Sequence, residues 1–206
     1  MNPIKKLQRM RQMGPRRVVD CIACKLLYSA LRPIFRYQAC HSLEPYACRE
    51  YKQLAADLAS TVNAEVAVDL GCGIGEIIAR TRAKRRYGID YDQGAIRFAQ
   101  VLYGRKAQFQ IGTLFEPEGV CASLPEKRVD VLIITGLLHG MPFDQVQAML
   151  ARLRELVPVE RLLMDTVRRS ERGYTHTTED LSRLGTIERT IDVGDNYRCL
   201  HLIRLA

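Results

Sequence analysis

The apolar positions of this chain follow a helical spacing in the first 61 residues and alternate between strand-like and helical patterns afterwards. The segment "IKKLQRM" has helical spacing, and a wider apolar helix is predicted over residues 18–31, ending before Pro33. The stretch "LEPYACREYKQLAADLAS", residues 43–60, predicts a further helix. This first part therefore forms a helical leader, residues 1–61.

From residue 62 onward, five strand-like stretches alternate with helical ones, which is the order of a parallel α/β sheet. Strands are predicted at "EVAVDL", "RRYGID", "AQFQIG", "VDVLIITG" and "ERLLMDTV". Helices are predicted at "GEIIARTR", "QGAIRFAQVLYG", "FDQVQAMLARLREL" and "TTEDLSRLG", the last with Thr177 and Asp180 at capping-box spacing. The tail "TIERTIDVGDNYRCLHLIRL" predicts an antiparallel hairpin across Gly194-Asp195-Asn196.

The net charge of +8 is accounted for by residues 1–37, the first part of the leader. Residues 1–37 hold nine basic residues and one acid, whereas the remaining chain holds 22 of each sign. The main fold is therefore not a basic nucleic-acid platform. The cationic leader also carries apolar residues and fits attachment to an anionic membrane surface, a homodimer interface, or packing on the core with a solvated basic face. The apolar residues are Leu26, Leu27, Tyr28, Leu31, Ile34 and Phe35.

The seven cysteines are odd in number, and no secretion signal precedes them. We therefore expect reduced thiols and a cytoplasmic protein, with peripheral attachment at the inner membrane face as an option. A mitochondrial transit peptide is an alternative that Pro3 and Pro15 disfavour, because they would break its amphipathic helix. Cys21-x-x-Cys24 lacks a second pair at zinc spacing, so no metal site is expected. No apolar run is long enough to predict a transmembrane helix.

The turn after the first strand carries glycines at every second position, Gly71, Gly73 and Gly75. Such a turn lets the backbone approach a ligand closely. A dinucleotide fingerprint places the third glycine one residue later, and Asp69 would repel a pyrophosphate but suits an ammonium group. Asp90, at the end of the second strand, can accept both hydroxyls of a ribose. These features favour an amino-acid nucleoside over a dinucleotide.

Three segments carry a family resemblance: "VAVDLGCGIGEIIA", "YGIDYDQGAIRFA" and "VDVLIITGLLHGMPFDQVQAMLARLRELV". They resemble the class I S-adenosylmethionine-dependent methyltransferases over residues 62–206. The resemblance implies one Rossmann-like α/β domain, with a seven-stranded, mostly parallel sheet that ends in an antiparallel strand. It also implies S-adenosylmethionine as cofactor, with NAD or a non-binding fold as alternatives. The leader would close over the cofactor as a lid.

The resemblance assigns cofactor roles to individual positions. Gly71, Gly73 and Gly75 would line the methionine and ribose side, Asp69 would orient the amino-acid end, and Asp90 would take the ribose hydroxyls. Tyr91 would flank the adenine. After the third strand the family usually has a Gly-Asp pair, whereas this chain has Gly112-Thr113, so Thr113 and the backbone of Leu114 would serve instead. Thr135, at the end of the fourth strand, completes the expected cofactor site.

The acceptor is expected above the carboxyl ends of strands 4 and 5. His139 is positioned there as a general base for a hydroxyl, and Asp165 can orient it or bind the substrate. Alternatively, His139 serves packing and Asp165 orders a loop. The lid candidates are Tyr37, His41, Tyr46, Arg49 and Tyr51, with His41 as either an alternative base or a surface residue.

The segment Thr135-Gly136-Leu137-Leu138 replaces the Asn/Asp-Pro-Pro-aromatic tetrad of many methyltransferases that act on base amino groups. This disfavours such an acceptor. The sequence therefore predicts an O-methyltransferase acting on a small molecule or glycan, with a lipid-linked or cell-envelope saccharide as one option. An RNA methyltransferase with a basic N-terminal arm and a non-catalytic cofactor-binding scaffold are the alternatives.

Overall fold

The computed structural model describes residues 14–43, 45–168, 174–194 and 197–206. Three helices and a 3₁₀ turn precede the sheet: α1 (Pro15–Phe35), α2 (Ala39–Leu43), the turn Tyr46–Cys48 and α3 (Glu50–Ser60). The predicted helix at "IKKLQRM" and the predicted turn residues Asp195 and Asn196 lie outside the described residues.

Helix α1 is longer than the sequence predicts. It begins at Pro15, a position where proline loses no hydrogen bond, and it passes Pro33 before ending at Phe35. Arg36 then adopts a left-handed conformation (φ 59°), and its N–H bonds to the carbonyl of Arg32. Pro33 has no N–H to donate to the Ser29 carbonyl, and the helix ends two residues later.

The remaining chain forms one seven-stranded sheet in the order β3-β2-β1-β4-β5-β7-β6. The five predicted parallel strands and the antiparallel hairpin are confirmed. The strands are β1 (Val66–Leu70), β2 (Arg85–Asp90), β3 (Gln108–Ile111), β4 (Val129–Ile134), β5 (Val159–Val167), β6 (Gly185–Asp192) and β7 (Arg198–Leu205). The helices among them are α4 (Gln93–Tyr103), α5 (Pro117–Ser123), α6 (Phe143–Leu156) and α7 (Thr178–Ser182).

The strand order determines where a ligand crevice lies in this fold. Strands β1 and β4 are fully buried, as their continuous apolar runs predict, and they lie side by side in the middle of the sheet. The chain builds β2 and β3 on one side of β1 and then crosses to β4 on the other side. Such a switch point opens a crevice outside the carboxyl ends of the strands. The glycine turn after β1 and the segment after β4 meet at this crevice.

The prediction of a helix after the first strand is wrong. The connection from β1 to β2 holds only a 3₁₀ turn, Ile78–Arg80. Residues 71–75 are used by the glycine turn, so few residues remain before β2 begins. Ile77 and Ile78 still enter the core, where they pack in one cluster with the alanines of α3. Helix α3 therefore takes part in covering the sheet at this place.

The expectation of fully reduced thiols is also wrong. Cys21 of α1 and Cys48 of the 3₁₀ turn form a disulfide, with their Cα atoms 5.0 Å apart. The structure leaves five cysteines as thiols, including Cys24 and Cys40. Within the described ranges, none of the helices combines the length and the apolar character needed to cross a bilayer.

Candidate active site

The glycine turn is a rigid cradle fixed to the neighbouring strand. Gly71, Gly73 and Gly75 all have positive φ (83°, 54° and 77°), a conformation that favours glycine. The N–H groups of Gly71 and Cys72 donate to the carbonyl of Ile89, at 2.7 and 3.0 Å. A Cβ on Gly75 would lie 2.4 Å from the Phe109 ring, so this position admits no side chain without a shift. The turn is thus held against β2 and β3, with Gly73 and Gly75 buried.

A cavity of about 210 Å³ lies above this cradle. The glycine turn, the end of β4 and the leader line it together. The lining residues are Cys40, His41, Tyr51, Lys52, Asp69, Gly71, Cys72, Gly73, Ile74, Glu76, Ile77, Thr135, Gly136 and Leu137. Four expected cofactor contacts, Asp69, Gly71, Gly73 and Thr135, therefore share one cavity with the lid residue His41.

Asp69 is a buried carboxylate with an unused oxygen. The residue is 1% exposed, and its Oδ2 atom has no hydrogen-bond partner among the residues that the structure describes. Burial, reinforced by the like charge of Asp90, raises the pKa of Asp69 to about 7, although Lys52 opposes this. A buried polar atom without a partner is costly, so a ligand that supplies a cation or a donor here would be bound favourably.

Asp90 holds the far side of the cradle. Its carboxylate accepts hydrogen bonds from the Gly73 N–H (2.7 Å) and the Asp92 N–H (2.9 Å). Each carboxylate oxygen has a second lone pair, so both remain able to accept a ribose hydroxyl. Tyr91 follows directly and is exposed, and its hydroxyl oxygen accepts from Nε2 of Gln38 in the leader at 2.6 Å.

Thr113 and Leu114 lie beside Asp90 at the end of β3, because the Gly112 N–H donates to the Asp90 carbonyl at 3.1 Å. Thr113 is half-buried, and Leu114 belongs to the main core cluster. Neither residue lines the cavity described above, and Gly75, Asp90 and Tyr91 do not line it either.

Glu76 anchors the leader to the glycine turn. It is buried, and its Oε1 accepts from the Tyr28 hydroxyl (3.1 Å) and the Tyr46 N–H (2.8 Å). Its Oε2 is paired with Lys52 Nζ at 2.8 Å. Sequence reasoning did not identify Lys52 as a site residue. The available signal was its spacing, since Lys52 precedes the buried Ala55, Ala56 and Ala59 on the apolar face of α3.

The lid candidates occupy different layers. His41 lines the cavity and reaches Gly73 so closely that a Cβ there would lie 2.7 Å from its Nδ1. Burial lowers the pKa of His41, which favours the neutral imidazole. Tyr37 is buried beneath it, with its hydroxyl donating to the Tyr28 carbonyl. Tyr46 stacks on Arg80 at 4.2 Å, and Arg49 precedes α3.

Asp165 connects the segment after β4 with strand β7. It is fully buried at the end of β5, and its Oδ1 accepts from the Gly136 N–H at 2.6 Å. Its Oδ2 forms an ion pair with Nη1 of Arg198 at 2.5 Å. The Arg198 guanidinium lies 4.2 Å from the centre of the Tyr51 ring, which lines the cavity. Asp165 therefore orders the segment after β4, including Gly136 with its φ of 78°.

His139 follows this ordered segment and is half-buried in the 3₁₀ turn Leu138–Gly140. Its Nδ1 is buried and without a hydrogen-bond partner among the described residues. Burial lowers the pKa of His139, with Asp165 acting in the opposite direction. The turn is held in place because the His139 carbonyl accepts from the Tyr174 N–H (2.6 Å) and His176 Nε2 bonds to the Leu138 carbonyl. The imidazole is thus neutral near pH 7. His139 follows two residues after Leu137, which lines the cavity.

Neither the known protein-family models nor the curated protein sequences match this chain. Solved structures do. The magnesium protoporphyrin IX methyltransferase ChlM from Synechocystis PCC 6803, with bound SAH, has a TM-score of 0.58 at 19% identity, over 76% of this chain and 84% of that one. The N-methyltransferase NodS from Bradyrhizobium japonicum WM9 has a TM-score of 0.59 at 14% sequence identity, over 76% of this chain and 94% of that one. An O-methyltransferase family protein from Burkholderia thailandensis has a TM-score of 0.58 at 16% sequence identity, over 76% of this chain and 55% of that one.

These similarities establish the fold of the chain. It has the class I methyltransferase fold, with a mostly parallel seven-stranded sheet closed by an antiparallel hairpin, as the sequence resemblance implies. The residues at the crevice also fit the cofactor of that fold. Gly71 and Gly73 bring backbone without side chains to the lining of the cavity, and the unpartnered Oδ2 of Asp69 fits a cationic group.

Proposed function

We propose that this chain is an S-adenosylmethionine-dependent methyltransferase that methylates a hydroxyl group of a small molecule or glycan. The observation that carries the proposal is the unpartnered Oδ2 of Asp69, buried in a cavity beside a glycine cradle on a methyltransferase fold. An ammonium group of the cofactor would give this oxygen the partner it lacks. Asp90 would hold the ribose hydroxyls, while Tyr91, Thr113 and Leu114 would border the adenine.

Lys52 and Asp69 suit the two charges of the methionine end. Both line the same cavity, and one is a cation while the other is an acid. The ammonium group of Lys52, which is paired with Glu76, would also contact the α-carboxylate of the cofactor. Asp69 would face its α-ammonium group. Residues 1–61 would then act as the lid and residues 62–206 as the cofactor-binding domain, with His41 closing over Gly73.

The raised pKa of Asp69, about 7, gives cofactor binding a pH dependence. An ionised Asp69 pairs with the ammonium, so binding to the protonated form must release a proton. The affinity for S-adenosylhomocysteine should rise about tenfold per pH unit below about pH 7 and level off above it. Isothermal titration calorimetry from about pH 5.5 to about pH 8.5 measures this. Asp69→Asn should bind more weakly with a flat profile, and His41→Gln should keep the slope. A flat native profile would contradict the assignment.

The acceptor chemistry rests on His139. When bound, the cofactor supplies a methyl group that is electrophilic because it sits on a sulfonium. An acceptor hydroxyl must lose its proton as its oxygen attacks. His139 is neutral near pH 7 because burial lowers its pKa, so its imidazole can take that proton. Asp165 would act indirectly, by ordering Gly136 and the turn that carries His139.

The proposal is tested by incubating the protein with methyl-labelled S-adenosylmethionine and fractions of small molecules, glycans, lipids and RNA. Label should enter a small-molecule or glycan fraction as a methyl ether. His139→Gln should lower that rate by about 10²–10⁴-fold while S-adenosylhomocysteine affinity stays unchanged. Asp144→Asn, an exposed acid on α6, is the control and should keep native turnover. Label found only in RNA, or cofactor binding without any transfer, would overturn the O-methyltransferase assignment.

A further inference from the structure

Helix α1 presents a continuous apolar stripe to solvent. Val19, Leu26 and Ile34 are 63%, 67% and 69% exposed, and Ile22 and Leu27 are each 49% exposed. Because successive residues of an α-helix are rotated by about 100°, these side chains lie on one face. Exposed alanines and Pro33 lie on the same face. From residue 19 to residue 34 the stripe runs about 22 Å along the helix. Single exposed aliphatic residues are ordinary, but an aligned row of this length is characteristic of an interaction surface.

The opposite face of α1 fixes the stripe in its outward position. Tyr28 is buried, stacks edge-on against Phe98 at 5.4 Å and donates its hydroxyl to Glu76. The disulfide between Cys21 and Cys48 holds the first half of the helix to the turn before α3. Rotation of α1 to bury the stripe would break all of these contacts, so the apolar row is a stable feature of the folded chain.

Basic side chains surround the stripe unevenly. Arg16 falls on the apolar face itself, whereas Arg17 and Arg32 fall on the side of Tyr28 and donate to the carbonyls of Ala47 and Tyr37. Residues 15–36 contain five basic residues and one acid, Asp20. Arg16, Arg32 and Arg36 are exposed, and Arg17 and Lys25 are half-buried. Long basic side chains beside an apolar row can lay their stems on apolar surface while their charges reach an anionic one.

We propose that this face of α1 binds an anionic membrane surface and lies in the interface plane, with its apolar stripe inserted and its basic residues on the headgroups. Charge favours this occupant over a second copy of the chain. Two such faces would bring two strongly positive helices together, which like-charge repulsion opposes. A nucleic acid would use the basic residues but leave the aliphatic row in water, because its phosphates offer that row no apolar partner.

Sedimentation of the full chain with vesicles tests the proposal. The native protein should bind vesicles containing about 30 mol% phosphatidylglycerol and bind far less to vesicles of phosphatidylcholine alone, with binding weakened at high salt. The double variant L26Q and I34Q should bind at least about tenfold more weakly. Val101→Gln is the matched control, since Val101 is 71% exposed on α4, and it should bind as the native protein does. Thermal melting checks that all variants are folded.

Three results would overturn the proposal. The first is native protein that does not bind the anionic vesicles, or a double variant that binds them as well as the native protein. The second is a native dimer in light scattering that the double variant converts to a monomer, without vesicle binding. The third is retention of RNA under conditions where vesicles are not bound. None of these outcomes depends on methyl transfer, so the result is separate from that of the proposed activity.

Discussion

Replacing Asp90 with alanine should weaken the binding of S-adenosylhomocysteine by about 100-fold. The carboxylate is proposed to accept both ribose hydroxyls, and hydrogen bonds to a charged group contribute about 1.5–3 kcal/mol each. At the lower of these values, two such bonds correspond to a loss of about 3 kcal/mol, or about two orders of magnitude in Kd. The same carboxylate also accepts from the N–H groups of Gly73 and Asp92, so the cradle loses a support as well. Calorimetric titration of the native and variant proteins measures the effect.

Two comparisons separate loss of the ribose contact from damage to the cradle. Asp57→Ala removes an exposed acid of α3 and should leave the affinity unchanged. The 2′-deoxy analogue of S-adenosylhomocysteine should bind the native protein about tenfold more weakly than the parent, whereas Asp90→Ala should not distinguish the two. Affinity of Asp90→Ala within about threefold of native would show that the ribose is held elsewhere.

Replacing Asp165 with alanine should destabilise the fold by about 3–5 kcal/mol. Asp165 is fully buried, and its removal leaves the largely buried Arg198 without this counter-charge and the Gly136 N–H without its acceptor. For a chain of this size, such a loss lowers the melting temperature by about 6–20 °C. Differential scanning calorimetry measures the shift. The expected size reflects an uncompensated buried charge rather than the strength of the ion pair itself.

A matched surface pair gives the control. Asp144 and Arg183 form an ion pair at 3.0 Å with both side chains largely exposed, so Asp144→Ala should change stability by less than about 1 kcal/mol. The double variant D165A and R198M removes both buried charges and should recover part of the lost stability. If Asp165→Ala melts within about 2 °C of the native protein, Asp165 does not organise the segment after β4.

The sheet was predictable because its signals are local. The apolar run of β4 and the glycines after β1 each identify an element within about ten residues of sequence. The helix expected after the glycine turn failed for a tertiary reason. Its sequence has a helical pattern, but the short connection and the packing of Ile77 and Ile78 beside α3 leave room for a single 3₁₀ turn.

The contacts that shape the lid were beyond sequence reasoning. Cys21 and Cys48 are 27 residues apart, and an odd number of cysteines does not specify a pair. Glu76 follows the third glycine, where a helix dipole alone would explain an acid, yet its partners come from three places in the leader. Asp165 illustrates the same limit, since its pairing with Arg198 of β7 depends on the hairpin docking against β5.

The most direct measurement of the central claim is a calorimetric titration of the native chain with S-adenosylhomocysteine and, separately, with NAD. The crevice offers an unpartnered carboxylate oxygen on Asp69 and three positive-φ glycines, which suit an ammonium-bearing nucleoside and not a pyrophosphate. We expect binding of one S-adenosylhomocysteine per chain with a Kd of about 1–100 μM, and NAD binding at least about 100-fold weaker. Absence of S-adenosylhomocysteine binding, or tighter binding of NAD, would contradict it.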